Sequence, residues 1–280
     1  TILEASKKEG KSTGLVATST ITHATPAVFA AHVESRNNQT AIAKQYIAND
    51  VDVLLGGGKD YFTLESEGGK QKNDHLIEQA EDKGYTFIET RQQLQAINNK
   101  DKKVLGLFAN DALAPELHRD LTEEPSLAEM TTAAIDVLSQ NKDGFFLMVE
   151  GSQIDWAGHA HDAAWAMSDV EAFEKAVEVA IEYAKRDGKT LVVIGGDHET
   201  GGMTVGANGV YDVKPDILQE VTATGNFMAQ ELDQQRSNIR EVIEKYTPFT
   251  LTDEEVQVIK DSKNPANEIN DILSDKVLIG

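Results

Sequence analysis

Phe145-Phe146-Leu147-Met148-Val149, followed at once by Glu150-Gly151-Ser152, decides how this chain is read. A short apolar run with aromatic and β-branched members fits a strand buried on both faces. A carboxylate, a glycine and a hydroxyl directly after it put chemistry at the strand's carboxyl end. The pattern recurs: Gly14 to Thr18 (GLVAT), Val51 to Leu55 (VDVLL), Val104 to Phe108 (VLGLF) and Leu191 to Ile194 (LVVI) have similar length and composition. VLGLF runs into Ala109-Asn110-Asp111, and LVVI into Gly195-Gly196-Asp197-His198. Helical stretches lie between these runs. Thr25 reads as an N-cap with Pro26 at the first helical position, and Ser126 with Glu129 as a capping box after Pro125. Alternating strands and helices predict an α/β fold with a mostly parallel central sheet and helices on both faces. Such sheets carry their ligand chemistry at the carboxyl ends of the strands. From Gly206 onward the chain is polar, helical in pattern and free of histidine, with Thr252-Asp253-Glu254-Glu255 as a further capping box, and it reads as helical cover. The economical organisation is a single domain over residues 1–280 with an insertion between about 56 and 125.

Composition narrows the function classes. The chain has 280 residues, 40% of them hydrophobic, enough for a sizeable core. No run approaches the ~18 apolar residues of a membrane helix, and Thr1-Ile2-Leu3-Glu4 lacks a signal-peptide pattern, so the chain reads as soluble with no membrane partner. With no cysteine, any metal must be held by His, Asp, Glu and hydroxyl groups. A formal net charge of -21 argues against nucleic acid and anionic membranes, because such a field repels phosphate backbones. A small phosphate-bearing ligand would need that field overcome locally.

Three stretches carry the chemistry. In Val149-Glu150-Gly151-Ser152-Gln153-Ile154-Asp155-Trp156-Ala157-Gly158-His159, the strand ends in a carboxylate. His159 follows Asp155 by four residues, so on one helical turn the two can share an ion. Gly195-Gly196-Asp197-His198-Glu199-Thr200-Gly201-Gly202 sets adjacent Asp and His between glycines that permit close backbone approach. His23-Ala24-Thr25-Pro26-Ala27-Val28-Phe29-Ala30-Ala31-His32-Val33-Glu34-Ser35-Arg36 holds a hydroxyl, a guanidinium and two imidazoles. Each has a bland alternative: Asp and His on a solvated helix face, Thr25 as a helix cap, Arg36 as a surface cation. His32, on an apolar stretch, reads as a core residue or one standing behind a ligand. Two Asp/His clusters at strand ends of one sheet favour a metal site.

Together, H-A-T-P-A-x-x-x-A-H-V-x-S-R, V-E-G-x-x-I-D-W-A-x-H and G-G-D-H-E-T-G-G resemble the bacterial alkaline phosphatases, in that family's order and over essentially the whole chain. The resemblance implies the family's α/β sandwich, two zinc ions and one magnesium ion, and hydrolysis of small-molecule phosphate monoesters through a phosphoserine. It further implies export to the periplasm or exterior, and allows a homodimer. Carried onto this sequence, Asp155 and His159 resemble ligands of one zinc, and Asp197 and His198 ligands on the phosphoserine side. Thr25 and Glu150 resemble the magnesium ligands. Arg36 resembles the catalytic guanidinium that clamps two phosphate oxygens. His161 and Glu199 match no ligand position. In enterobacterial members an Asp stands at His23 and a Lys at Trp156. The histidine at 23, behind the third metal, would shift that site toward softer ions, and the tryptophan at 156, a substrate-side position, removes a cation that could reach phosphate through water.

The family's nucleophile block, D-S-A-x-x-x-T, and an earlier bridging Asp would lie before Thr1, and an H-T block completing one zinc site would follow Gly280. Ser12, Ser19 and Ser152 lack the nucleophile's surroundings. The resemblance therefore predicts that these 280 residues alone are a very poor phosphatase. Two other readings compete: a related metal-dependent phosphotransferase or sulfatase, disfavoured by the Arg36 block and the Thr25 motif, and a metal-binding structural fragment.

Overall fold

Runs that are apolar on both sides of the pleat settle in a sheet covered on both faces, and they do so in the computed structural model, which describes residues 1–98, 100–207 and 209–279. Five strands, β1 (Ser12–Thr20), β2 (Val53–Gly57), β3 (Thr86–Ile88), β4 (Val104–Leu107) and β5 (Phe145–Glu150), form one sheet in the order β3-β4-β2-β1-β5. Every pairing is parallel. In β1, Leu15 sits between Leu54 of β2 and Met148 of β5, and alternate residues part into two cores. Leu15 and Ala17 join the face lined by α1 (Ile2–Lys8), α2 (Ala24–Ala30), α3 (Gln39–Ala48) and α4 (Leu76–Asp82), whereas Val16 joins that of α5 (Arg91–Gln95) and α6 (Leu127–Leu138). In α6, Leu127, Met130, Ala134 and Val137 fall at helical spacing and are all buried. Each large apolar side chain so removed from water contributes roughly 2 kcal/mol before conformational entropy is set against it.

The chain divides into two compact units. The first holds the sheet and comprises Thr1–Ala114, Arg119–Ser152 and Ala172–Ile194. The second comprises Pro115–His118, Gln153–Glu171 and Gly195–Gly280. It contains α7 (Gln153–His159), the start of α8 (Ala163–Asp187), α9 (Gly225–Gln230), α10 (Ile239–Tyr246), α11 (Asp253–Asp261) and α12 (Pro265–Val277). The region beyond Gly206 is helical as read, and it builds a core of its own from Met228, Ile239, Ile243, Ile259 and Ile269.

Four of the five apolar runs are strands. The fifth, Leu191 to Ile194, is not: it has no strand partner, and Leu191 and Val193 are 85% and 82% exposed. Composition made it capable of a strand, but a strand exists only against a neighbour. In its place β3 joins the sheet, a segment too short to show a period. The capping boxes at Ser126–Glu129 and Thr252–Glu255 are both formed. Thr25 is not the N-cap of α2. That position falls to His23, which makes no side-chain cap, and Thr25 is the exposed second residue of the helix, with Pro26 after it. His32 also departs from expectation: α2 ends at Ala30, and His32 is exposed with Nε2 2.8 Å from Glu4 Oε1.

Candidate metal and phosphate site

In the first unit, β1 and β5 run side by side to the pair Ala17 and Glu150, where the ladder ends. Two residues on, a side chain continues it. Ser152 Oγ accepts the backbone N–H of Ser19 at 3.1 Å and lies 2.7 Å from Glu150 Oε2 and 3.0 Å from Ser19 Oγ. The end of β1 is pinned as well, because the Thr20 and Thr22 hydroxyls both donate to Gln39 Oε1 at 2.8 and 2.7 Å. Tyr46, buried beneath, donates to Ile21 O at 3.0 Å. Burial, and then the negative charge of Glu150, hold its phenol protonated well beyond the ordinary range. Arg36 is exposed, and its Nη2 lies 3.3 Å from His23 Nε2. Guanidinium only donates, so His23 Nε2 is the acceptor and the imidazole carries its proton on Nδ1.

In the second unit, α7 sets Asp155 and His159 one turn apart, with His159 Nε2 3.7 Å from Asp155 Oδ1, and Trp156 half-buried between them. Gly158 is required by what lies against it: a Cβ there would stand 2.0 Å from Thr200 Oγ1. That contact brings the loop around Asp197 and His198 against α7. The loop turns through Gly201 and Gly202, at φ 119° and 90°, where residues with a Cβ are strained. His198 Nε2 lies 3.5 Å from Asp197 Oδ2. Its pKa is raised, first by a hydrogen bond to the Glu199 carbonyl, then by the charges of Asp197, Asp155 and Glu199. The imidazole thus feels a cluster of carboxylates around it. His161, outside the ligand set, pairs with Asp271 at 3.2 Å.

The expected residues therefore come together as pairs, Asp155 with His159 and Asp197 with His198. Among the described residues, no three His, Cys, Asp or Glu side chains form a metal-holding group. The donor chemistry nevertheless fits the implied ions. The oxygen donors Thr25 and Glu150 suit magnesium, and the imidazole and carboxylate donors of the second unit suit zinc, with a surplus of negative charge at His198 for a cation to offset. Sequence reasoning missed two contributors, Ser152 and Gly158. A serine two residues beyond the strand-end glutamate was the one available signal for the first.

Fold and donors define a class: an α/β protein with a parallel sheet, a carboxylate at the end of β5, and paired acidic and imidazole donors in its second unit. The alkaline phosphatase family model matches residues 1–271, and the chain belongs to that family. It is 46% identical to alkaline phosphatase 4 of Bacillus subtilis over 92% of its own length, and spans 55% of that relative. Among solved structures, the cold-active alkaline phosphatase of the psychrophile Shewanella sp. superposes with a TM-score of 0.86 at 35% identity, covering 100% of this chain and 68% of that one. A histidine-to-glutamate mutant of TAB5 alkaline phosphatase, with magnesium bound in its M3 site, superposes over 74% of this chain and 57% of that one with a TM-score of 0.64 at 35% identity.

Proposed function

We propose that the protein containing these residues hydrolyses small-molecule phosphate monoesters at a site of two zinc ions and one magnesium ion, through a phosphoserine intermediate. The observation that carries this reading is the meeting, within one unit, of the Asp155–His159 turn with the Asp197–His198 loop through the Gly158–Thr200 contact. Bound zinc and magnesium supply Lewis acidity for the leaving oxygen and a lowered pKa for the attacking one. The chain's residues do the rest. Asp155 and His159 hold one zinc, and Asp197 and His198 serve the phosphoserine side. Thr25 and Glu150 hold magnesium, and the three carboxylates offset the repulsion among dications. Arg36 donates two N–H groups to the phosphoryl oxygens, a geometry that guanidinium matches and ammonium does not. Trp156 lines the substrate side.

The magnesium-bearing mutant of the TAB5 relative supports reading a histidine as a tuner of the third metal site, a role we give to His23. The nucleophile is assigned to sequence preceding Thr1. Ser19 and Ser152 are buried in each other's hydrogen bonds, and Ser12 lies at the opposite end of β1 from Glu150. We place the protein outside the cytoplasm, as the resemblance implies. The alternative reading is a metal-binding or structural scaffold that carries out no hydrolysis. One experiment separates them. Residues 1–280 and the full-length polypeptide, each purified with zinc and magnesium, are compared for hydrolysis of a chromogenic phosphate monoester at alkaline pH, with metal content measured after dialysis. Activity confined to the full-length protein supports the proposal. Comparable activity in both sinks the assignment of the nucleophile, and no activity or zinc in either leaves the scaffold.

A further inference from the structure

We propose that Gln39 is a positioning residue for Arg36, holding the turn that carries the guanidinium against the segment that carries its partner His23; this rests on the reading of Arg36 as the phosphate clamp. Arg36 and its neighbours Glu34, Ser35, Asn37 and Asn38 are exposed, so packing does not place this side chain. What fixes it acts through the ends of the loop. Ser35 O accepts the Asn38 N–H at 3.0 Å, and Asn38 O accepts the N–H groups of Ala41 and Ile42, so the Arg36 turn runs directly into α3. Gln39 is the first residue of that helix. Its Oε1 accepts the hydroxyls of Thr20 and Thr22 at 2.8 and 2.7 Å, and its Nε2 donates to the Tyr61 hydroxyl at 3.0 Å. An amide oxygen has two lone pairs, and both are then used. Thr20 and Thr22 are 3% and 0% exposed, so bulk water does not stand in for Gln39 as their partner. His23 follows Thr22 directly, donates its backbone N–H to Thr20 O at 2.8 Å, and receives Arg36 Nη2 on Nε2 at 3.3 Å. These contacts close a ring, from Thr22 to His23, across to Arg36, along the turn to Gln39 and back to Thr22. The same helix holds the start of the loop: Gln45 Oε1 accepts the His32 N–H at 2.7 Å, and Gln45 Nε2 donates to His32 O at 2.9 Å. With the loop held at both ends from α3, Gln39 is the link that sets Arg36 relative to His23.

The test is inhibition of the full-length protein by inorganic phosphate, with kcat and KM for a chromogenic phosphate monoester and urea unfolding measured alongside. Gln39→Leu, Thr22→Val and Thr22→Ser are compared, each alone and combined with Arg36→Ala. Gln39→Leu fills the space without the amide, and Thr22→Val replaces one buried hydroxyl by a methyl of similar size. Both are expected to raise the phosphate inhibition constant about fivefold with Arg36 present and by less than about twofold in the Arg36→Ala background, because groups that act through one contact are not additive. Thr22→Ser, which keeps the hydroxyl, should return toward wild type. If Gln39→Leu does not fold, Thr22→Val decides the question. A loss of stability with phosphate inhibition unchanged overturns the positioning role while the clamp reading stands. Equal weakening with and without Arg36 does the same, since Gln39 would then act elsewhere in the site. Unchanged phosphate inhibition in Arg36→Ala itself removes the clamp reading and the positioning role with it.

Discussion

Arg36 is an exposed cation with one fixed partner, His23, and that pairing sets what its replacement should do. Hydrogen bonds to a charged group are worth about 1.5–3 kcal/mol each, so under the proposal that Arg36 clamps phosphate, its loss costs about tenfold or more in phosphate binding. In the full-length protein, Arg36→Ala is expected to raise both KM for a phosphate monoester and the inhibition constant of inorganic phosphate by at least that factor. Arg36→Lys should recover only part, because ammonium lacks the paired donors. A lysine variant with wild-type phosphate inhibition would show that only charge matters. Gly158 offers a second residue-scale expectation. With a Cβ 2.0 Å from Thr200 Oγ1, Gly158→Ala should destabilise by about 1–3 kcal/mol in urea unfolding, as overpacking does. Adding Thr200→Ala, which leaves Thr200 Cβ at 3.2 Å, should recover much of the loss. Equal loss in the single and double variants would place the strain elsewhere. The four-residue spacing that sets Asp155 and His159 one turn apart was legible in the sequence because it is local. Ser152 and Gly158 were not, since their roles depend on Ser19 and Thr200, which only folding brings near.

Elements were legible where local chemistry decides them. The Ser126–Glu129 box formed because the hydroxyl accepts the Glu129 N–H while that carboxylate accepts the Ser126 N–H, an exchange written within four residues. The start of α2 was misplaced, because the Thr25-Pro26 pair fits two registers and the turn before it selects His23 as the cap. The start of α9 rests on a distant residue. Thr224 caps it by accepting the Phe227 N–H, while the N–H of Thr224 itself goes to His118 Nε2 at 3.1 Å, with the His118 ring against Phe227. Burial lowers the pKa of His118 below its ordinary 6.5, so the unfolded chain binds the proton more readily than the folded one. Stability from this group is therefore complete above about pH 6.5 and is lost as pH falls toward the lowered folded value. Nearby Asp162 has a raised pKa, from burial, and acts in the opposite sense in the carboxylate range. Urea midpoints at pH 7.5 and 5.5 should differ more for the wild type than for His118→Gln, which keeps an acceptor and has no proton to gain. Equal pH dependence would assign the acid sensitivity to other groups.

At the scale of the whole molecule, opposing features bear on association. The net charge of -21 keeps copies apart at long range, but ions screen it beyond about 8 Å at physiological salt. Against it stands Leu191-Val192-Val193-Ile194, apolar and outside any strand, and β5, which ends the sheet order with every residue only half-buried. A sheet edge, and separately a run of exposed apolar side chains, each offer a surface for pairing with another chain. Leu191 and Val193 are both exposed, whereas Val192 between them is half-buried. We expect sedimentation velocity of residues 1–280 to show concentration-dependent association at 0.15 M salt, less at low salt where the charge is unscreened. Leu191→Glu combined with Val193→Glu should largely abolish it by adding charge to the contact itself. If the double variant associates as the wild type does, the contact lies on another surface, and the exposed run is harmless in a chain this acidic.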